Sequence, residues 1–130
     1  MRIMFAASLF ALLLLVPPVA SRAGLDIGAT PTPTSAYELV VVEAEGCIYC
    51  GLFRRDVLPA YSTSEQGKEM PVRFVDVNDI EQAHLDFNSP VDIVPSFVVV
   101  KSQHEIGRIS GYVGPENFFR SINYLRASAP

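Results

Sequence analysis

The spacing of apolar positions changes several times along this chain, and each change marks an element. The run YELVVVE at 37–43 is β-branched and bounded by turn residues, which predicts a buried strand. IYCGLFRRDVLPAY then places Ile48, Leu52, Phe53, Val57 and Leu58 at helical intervals. That pattern predicts a helix ending near Tyr61, with Gly51 and Pro59 disturbing its regularity. STSEQGKEM reads as a loop with room for one helical turn. VRFVDV at 72–77 sets Val72, Phe74 and Asp76 against Arg73, Val75 and Val77, a second and largely buried strand. NDIEQAHLDFN at 78–88 predicts a short helix or helical turn capped by Asn78 or Asp79.

A third strand is expected at 96–101, followed by a turn at Ser102-Gln103-His104 and a fourth strand within EIGRISGYV. Gly107 and Gly111 in that strand signal a bulge or a close backbone approach. Gly114-Pro115-Glu116 opens a last helix with proline in its first turn, and Phe118, Phe119, Ile122 and Leu125 form its apolar face. The order is β-α-β-α-β-β-α. A helix between the first two strands makes them parallel, and a hairpin makes the last two antiparallel. The expected fold is therefore α/β, a four-stranded mixed sheet with helices on both faces, occupying residues 37–130.

The N-terminus follows another rule. Arg2 precedes an apolar run from Ile3 to Val16, which breaks at Pro17-Pro18 and ends in small residues at Ala20–Ala23. A basic start, a short apolar stretch and a small-residue exit are the parts of a secretory signal peptide. The run is shorter than the roughly 20 residues a spanning helix needs. The reading is a signal peptide at 1–23, cut after Ala23 (Ala20 is the alternative), and a flexible Gly/Pro/Thr-rich leader at 24–36. Export would carry the chain to the periplasm or outside the cell, with no stable membrane insertion afterwards.

The whole chain has 10 basic and 14 acidic residues, a net charge of −4. Loss of Arg2 and Arg22 with the signal peptide takes the mature chain to −6. That charge opposes nonspecific binding to nucleic acid or acidic membrane surfaces. Export also bears on the two cysteines, Cys47 and Cys50, since an exposed pair two residues apart tends to oxidise there to a disulfide. A zinc site needs about four ligands. Only His84 and His104 are left as nitrogen donors, and neither stands near the pair. A purely structural disulfide is disfavoured, because so short a loop restrains the unfolded chain little.

Cys47 falls where a strand ends and a helix begins. Free N–H groups and the positive end of the macrodipole there stabilise a thiolate, which is the attacking species. Cys50, one turn on, can resolve the mixed disulfide that Cys47 would form with a partner. A second signal is Val94-Pro95, entering the third strand. X-Pro bonds are where cis peptides occur, although an ordinary trans proline at a strand's first residue is equally permitted.

A strand ending in EGCIYC, then a helix, then VPSF, then a hairpin and GYVGPENFF resembles the thioredoxin family over about residues 37–127. The finer resemblance is to exported SoxS-type thioredoxin-like proteins of bacterial sulfur-oxidation systems, through VEAEGCIYC, LPAYSTSEQGK, PVRFVDV and EIGRISGYVGPENFF. The likeness implies a thioredoxin-like fold with Cys47 as nucleophile, Cys50 as resolving cysteine and Pro95 as a cis-proline facing them. Ile48, Tyr49 and Val94 would touch the substrate. It implies a monomeric periplasmic reductant of disulfide-bearing protein partners, among them a thiol-bearing sulfur carrier. Electrons would come from a membrane thiol-disulfide donor, with no cofactor beyond the cysteine pair. A disulfide oxidant or isomerase, and a non-catalytic redox-sensing binding module, are the alternative functions.

The chain departs from the thioredoxin pattern in two ways. Ile48-Tyr49 stands between the cysteines in place of Gly-Pro, and the chain has no Trp. Thioredoxins also keep a buried Asp six residues before the first cysteine, where this chain has Val41. Glu43 lies two residues on, on the same strand face. It is the nearest candidate to accept the proton of Cys50, against the alternative of a solvated strand-end carboxylate.

Overall fold

The computed structural model describes residues 36–129; the segments expected to be signal peptide and leader, all but Ala36, lie outside the described residues. Four strands form one sheet: β1 (Tyr37–Glu43), β2 (Val72–Asp76), β3 (Ser96–Lys101) and β4 (His104–Ser110), in the order β2-β1-β3-β4. β1 runs parallel to β2 and antiparallel to β3, and β3 runs antiparallel to β4. The mixed sheet therefore has the connectivity that the alternating patterns imply. Between β3 and β4 the register shifts at Val99/Val100, which face Gly107 and Glu105, leaving Ile106 as the extra residue of a bulge. Gly107 lies close to the last helix: a Cβ there would stand 2.6 Å from Leu125 Cδ2, so a larger residue would have to push the end of that side chain aside.

Alternation along β1 sends side chains to two cores. Leu39 and Val41 join Phe53, Val57, Tyr61, Met70, Phe97, Val99, Phe118 and Ile122 on one face. Val40 and Val42 join Val75, Val98 and Val100 on the other. The central position of β1 explains why its run is apolar on both sides.

Helices α1 (Ile48–Asp56), α2 (Leu58–Thr63), α3 (Glu65–Glu69) and α4 (Pro115–Ser128) follow from the same residues. The single helix expected to end near Tyr61 is divided at Val57. Pro59 has no N–H to donate to the preceding turn, and its ring crowds that turn. The break keeps Val57 and Tyr61 fully buried, and the Tyr61 hydroxyl donates to the Met70 carbonyl at 2.8 Å. The stretch read as a loop contains α3, which Ser64 caps by accepting from the Gly67 N–H at 3.0 Å.

The second face is covered more lightly than the pattern at 78–88 suggested. Two 3₁₀ turns, Val77–Asp79 and Glu81–Ala83, stand where a short helix was expected. His84 ends them in a left-handed conformation, φ 52°. Eleven residues hold too few apolar positions at helical spacing to cover a sheet as a helix. Ile80, Leu85, Phe87, Val91 and Val94 reach the second core from turns and extended chain instead. Arg108 ties this cover to the sheet. It bonds the carbonyls of Ser89 and Pro90 at 2.8 and 2.9 Å and pairs with Glu105.

Candidate active site

β1 ends at Glu43, and the chain turns through 44–46 before α1. The Cys47 N–H donates to the Ala44 carbonyl at 3.2 Å, and Gly46 takes φ +73°, a conformation L side chains rarely adopt. Cys47 is the N-cap of α1 in extended conformation, and the Cys50 N–H donates to its sulfur at 3.2 Å. Cys47 and Cys50 are joined as a disulfide with Cα atoms 5.3 Å apart. The two sulfurs differ in access: Cys47 is partly exposed, whereas Cys50 is 5% exposed. Cys50 sits on the inward side of α1, three residues before the fully buried Phe53.

Ile48 and Tyr49 project outward, 76% and 58% exposed. The Val94-Pro95 peptide is cis, and the Pro95 carbonyl accepts from the Gly111 N–H at 2.9 Å. That bond ties the segment before β3 to the loop after β4. Between α1 and these two segments lies a groove of about 820 Å³ whose lining includes Tyr49, Leu52, Ile93, Val94 and Tyr112. Tyr49 and Val94, both expected to meet substrate, thus share one groove. Ile93 and Val113, 53% and 78% exposed, widen the apolar surface around it. They were not singled out from the sequence, although an apolar residue flanked by turn formers, as in DIVP and GYVGP, is the available signal.

Val41 is fully buried in the core beneath α1. Glu43, on the same face, is engaged by Arg54: Arg54 Nε donates to its Oε2 at 3.0 Å, and Nη2 donates to Oε1. The Arg54 guanidinium also lies over the Phe74 ring, 3.6 Å from the centroid. Arg54 is one helical turn beyond Cys50, so the ion pair stands beside the buried sulfur's helix face. Its neighbour Arg55 turns outward and bonds both carboxylate oxygens of Asp56, at 2.6 and 3.0 Å. That hydrogen bonding holds the Asp56 carboxyl below its ordinary range.

Tyr112 packs into the core, and its hydroxyl has no hydrogen-bond partner among the described residues. A buried polar group left so costs about 1–3 kcal/mol. Burial, followed by the Asp56 charge, pushes its phenol above the ordinary range. No group of three or more His, Cys, Asp or Glu is placed to hold a metal among the described residues.

The family model described as a thioredoxin-like domain matches residues 29–126. The chain is similar to the periplasmic thioredoxin SoxS from Paracoccus pantotrophus in its reduced form, with 29% identity and a TM-score of 0.69, covering 72% of this chain and 99% of that one. Fasciola hepatica thioredoxin matches at 22% identity and a TM-score of 0.52, covering 71% and 83% of the two chains. Mitochondrial thioredoxin 3 from Saccharomyces cerevisiae, oxidised form, matches at 19% identity and a TM-score of 0.52, covering 71% and 81%. The last two likenesses show the fold alone. No curated protein matches the chain.

Proposed function

The chain belongs to the thioredoxin-like family, a thiol-disulfide oxidoreductase whose electron store is its own disulfide, and on that footing we propose that it reduces the disulfides of protein partners in the periplasm. The observation that carries this reading is the unequal access of the two sulfurs. Cys47 caps a helix at the surface, and Cys50 is buried one turn behind it.

In the reduced protein, the Cys47 thiolate attacks one sulfur of the partner's disulfide. The partner's other sulfur leaves as a thiolate and takes a proton from solvent. Cys50 then gives up its proton and attacks Cys47, releasing the partner's second thiolate. Two electrons pass to the partner, and Cys47–Cys50 closes to the disulfide that the structure holds. A membrane thiol-disulfide donor restores the dithiol.

Helix α1 supports the first step, because its N-terminal N–H groups and dipole favour negative charge on the Cys47 sulfur. Ile48, Tyr49 and Val94 provide the apolar surface against which the partner docks, with Pro95 shaping the same edge. We assign Glu43 the role of anchoring Arg54. Both of its oxygens are already bonded, and taking a proton from Cys50 would break one arm of that pair. A sulfur-carrier protein with an oxidised thiol is the partner favoured by the likeness to a periplasmic SoxS thioredoxin.

The test is Cys50→Ser offered a disulfide-bearing protein. This variant cannot resolve, so it should accumulate a mixed disulfide through the Cys47 sulfur, detectable by mass spectrometry and reversed by dithiothreitol. Absence of the adduct, with oxidation-dependent partner binding intact in the wild type, would make the protein a redox sensor. Direction is read by equilibration with glutathione buffers. A potential near about −270 mV supports reduction, and one near about −120 mV supports a disulfide oxidant.

A further inference from the structure

β3 opens on Ser96 and continues through Phe97, Val98, Val99 and Val100, every one of the five at most 1% exposed. Packing alone would accept an apolar residue at the head of such a strand, so the hydroxyl needs another reason. It donates to the Ile93 carbonyl at 2.7 Å, across the bend at 93–95. Pro95 has no N–H to offer that carbonyl. The other side of the bend is held as well. The Gly111 N–H donates to the Pro95 carbonyl at 2.9 Å, and Ile93 Cγ2 stands 3.7 Å from where a Cβ on Gly111 would be. Ile93 is thus seated against the Gly111 backbone, yet it stays 53% exposed and lines the groove beside the cysteine pair. Tyr49 and Val113, which line the same groove, are exposed with it. Exposed apolar side chains gathered at one place mark a surface that another molecule covers.

We propose that Ser96 is a positioning residue for partner docking: by bonding the Ile93 carbonyl it holds the Ile93 side chain as a preformed wall of the groove, against which an apolar residue beside the partner's disulfide packs. The inference rests on the reductase reading above and adds what keeps its groove in shape. Ser96 does not itself touch the partner, because it is buried at the head of β3. It acts through the backbone of the bend. A wall fixed before docking avoids the loss of freedom that ordering a mobile side chain in the complex would bring. Loss of the hydroxyl would free the Ile93 carbonyl and leave the bend tied from the Gly111 side only.

The experiment follows oxidation of the reduced protein by two disulfides: a synthetic peptide with its disulfide flanked by apolar residues, and dithiobis(nitrobenzoate), which has no peptide to dock. Wild type, Ser96→Ala, Ile93→Ala and the double variant are compared. Ser96→Ala should lower the ratio of kcat/KM for peptide over small disulfide by roughly 3- to 10-fold, with the loss in KM rather than kcat. Ile93→Ala should lower it too, and the double variant should be no worse than Ile93→Ala alone, because Ser96 then has nothing left to position. A merely structural serine would lower stability and leave the ratio alone, so an unchanged ratio in Ser96→Ala overturns the proposal. Additive losses in the double variant overturn it as well. Ile93→Ala alters an exposed side chain, so an unchanged ratio there overturns the proposal even if Ser96→Ala does not fold. Wild type that reduces the small disulfide but not the peptide overturns the docking wall alone. Wild type that reduces neither overturns the reductase reading and this inference with it.

Discussion

The Cys47 sulfur accepts the N–H of Cys50 at 3.2 Å, so the sulfur nearer to solvent is also the cap of the helix that carries its partner. Capping by a sulfur satisfies one of the free N–H groups of the first turn. When the disulfide is reduced, the same N–H can meet a thiolate. Brief treatment of the reduced protein with iodoacetamide at neutral pH should therefore modify Cys47 at least about tenfold faster than the buried Cys50. Peptide mapping reads this directly; equal labelling would remove the distinction between attacking and resolving sulfur.

Replacing Glu43 with Gln releases Arg54 from one side while leaving its place over Phe74. The pair is partly solvated, so the stability loss should be at most about 1 kcal/mol. With Glu43 as an anchor, the rate at which the mixed disulfide resolves should stay within about twofold of wild type across the pH range. A fall of tenfold or more with a displaced pH profile would make Glu43 the proton acceptor for Cys50.

Glu105 gives the fold an acid limit. Its side chain is 4% exposed, and burial alone would raise its pKa. Hydrogen bonds from Arg108 and the Asn88 N–H outweigh burial and leave the carboxyl below its ordinary range. A carboxyl whose pKa falls on folding contributes stability that is present above its unfolded pKa. That stability is lost as pH falls through the folded value. Urea unfolding should show this loss below about pH 4.5 in the wild type. Glu105→Gln should flatten it and cost about 1–3 kcal/mol at neutral pH, since it replaces the charged acceptor of Arg108 while the guanidinium keeps its bonds to the 89–90 carbonyls.

Two glycines in the helices on either side of α2 should respond in opposite directions. Gly51 in α1 has open space where a Cβ would be, so Gly51→Ala should stabilise by about 0.5–1 kcal/mol. Gly67 in α3 would place a Cβ 2.1 Å from the Tyr61 carbonyl oxygen. Gly67→Ala must displace backbone and should destabilise by about 2 kcal/mol or more. Paired denaturation curves check both.

The elements that were legible from the sequence are those whose apolar period was strong and uninterrupted. The β1 run and the third strand, expected at 96–101, stand where the pattern put them, because a central strand buried on both faces leaves little room for polar residues. The last helix shows its Phe118, Ile122 and Leu125 face and its proline start. The division at Val57 and the 3₁₀ turns at 77–83 were less legible, since each is decided by a local backbone constraint within a short segment. The cysteine pair and Val94-Pro95 were visible as residue types. Glu43 bonded to Arg54, Arg108 bonded to the 89–90 carbonyls and the unpaired Tyr112 hydroxyl were not, because each depends on contacts across elements.

Val41 has a consequence for where protons travel. Among the described residues, the side chains buried beneath α1 include no carboxylate, imidazole or amine, only hydrocarbon, a methionine and the phenols of Tyr61 and Tyr112. A dithiol resting on such a wall has no internal reservoir behind it. With Glu43 held by Arg54, the dithiol's protons should be exchanged at the open side, with water, buffer or the docked partner. Turnover should then be sensitive to the concentration of general bases in solution, and the medium becomes a participant in the redox cycle.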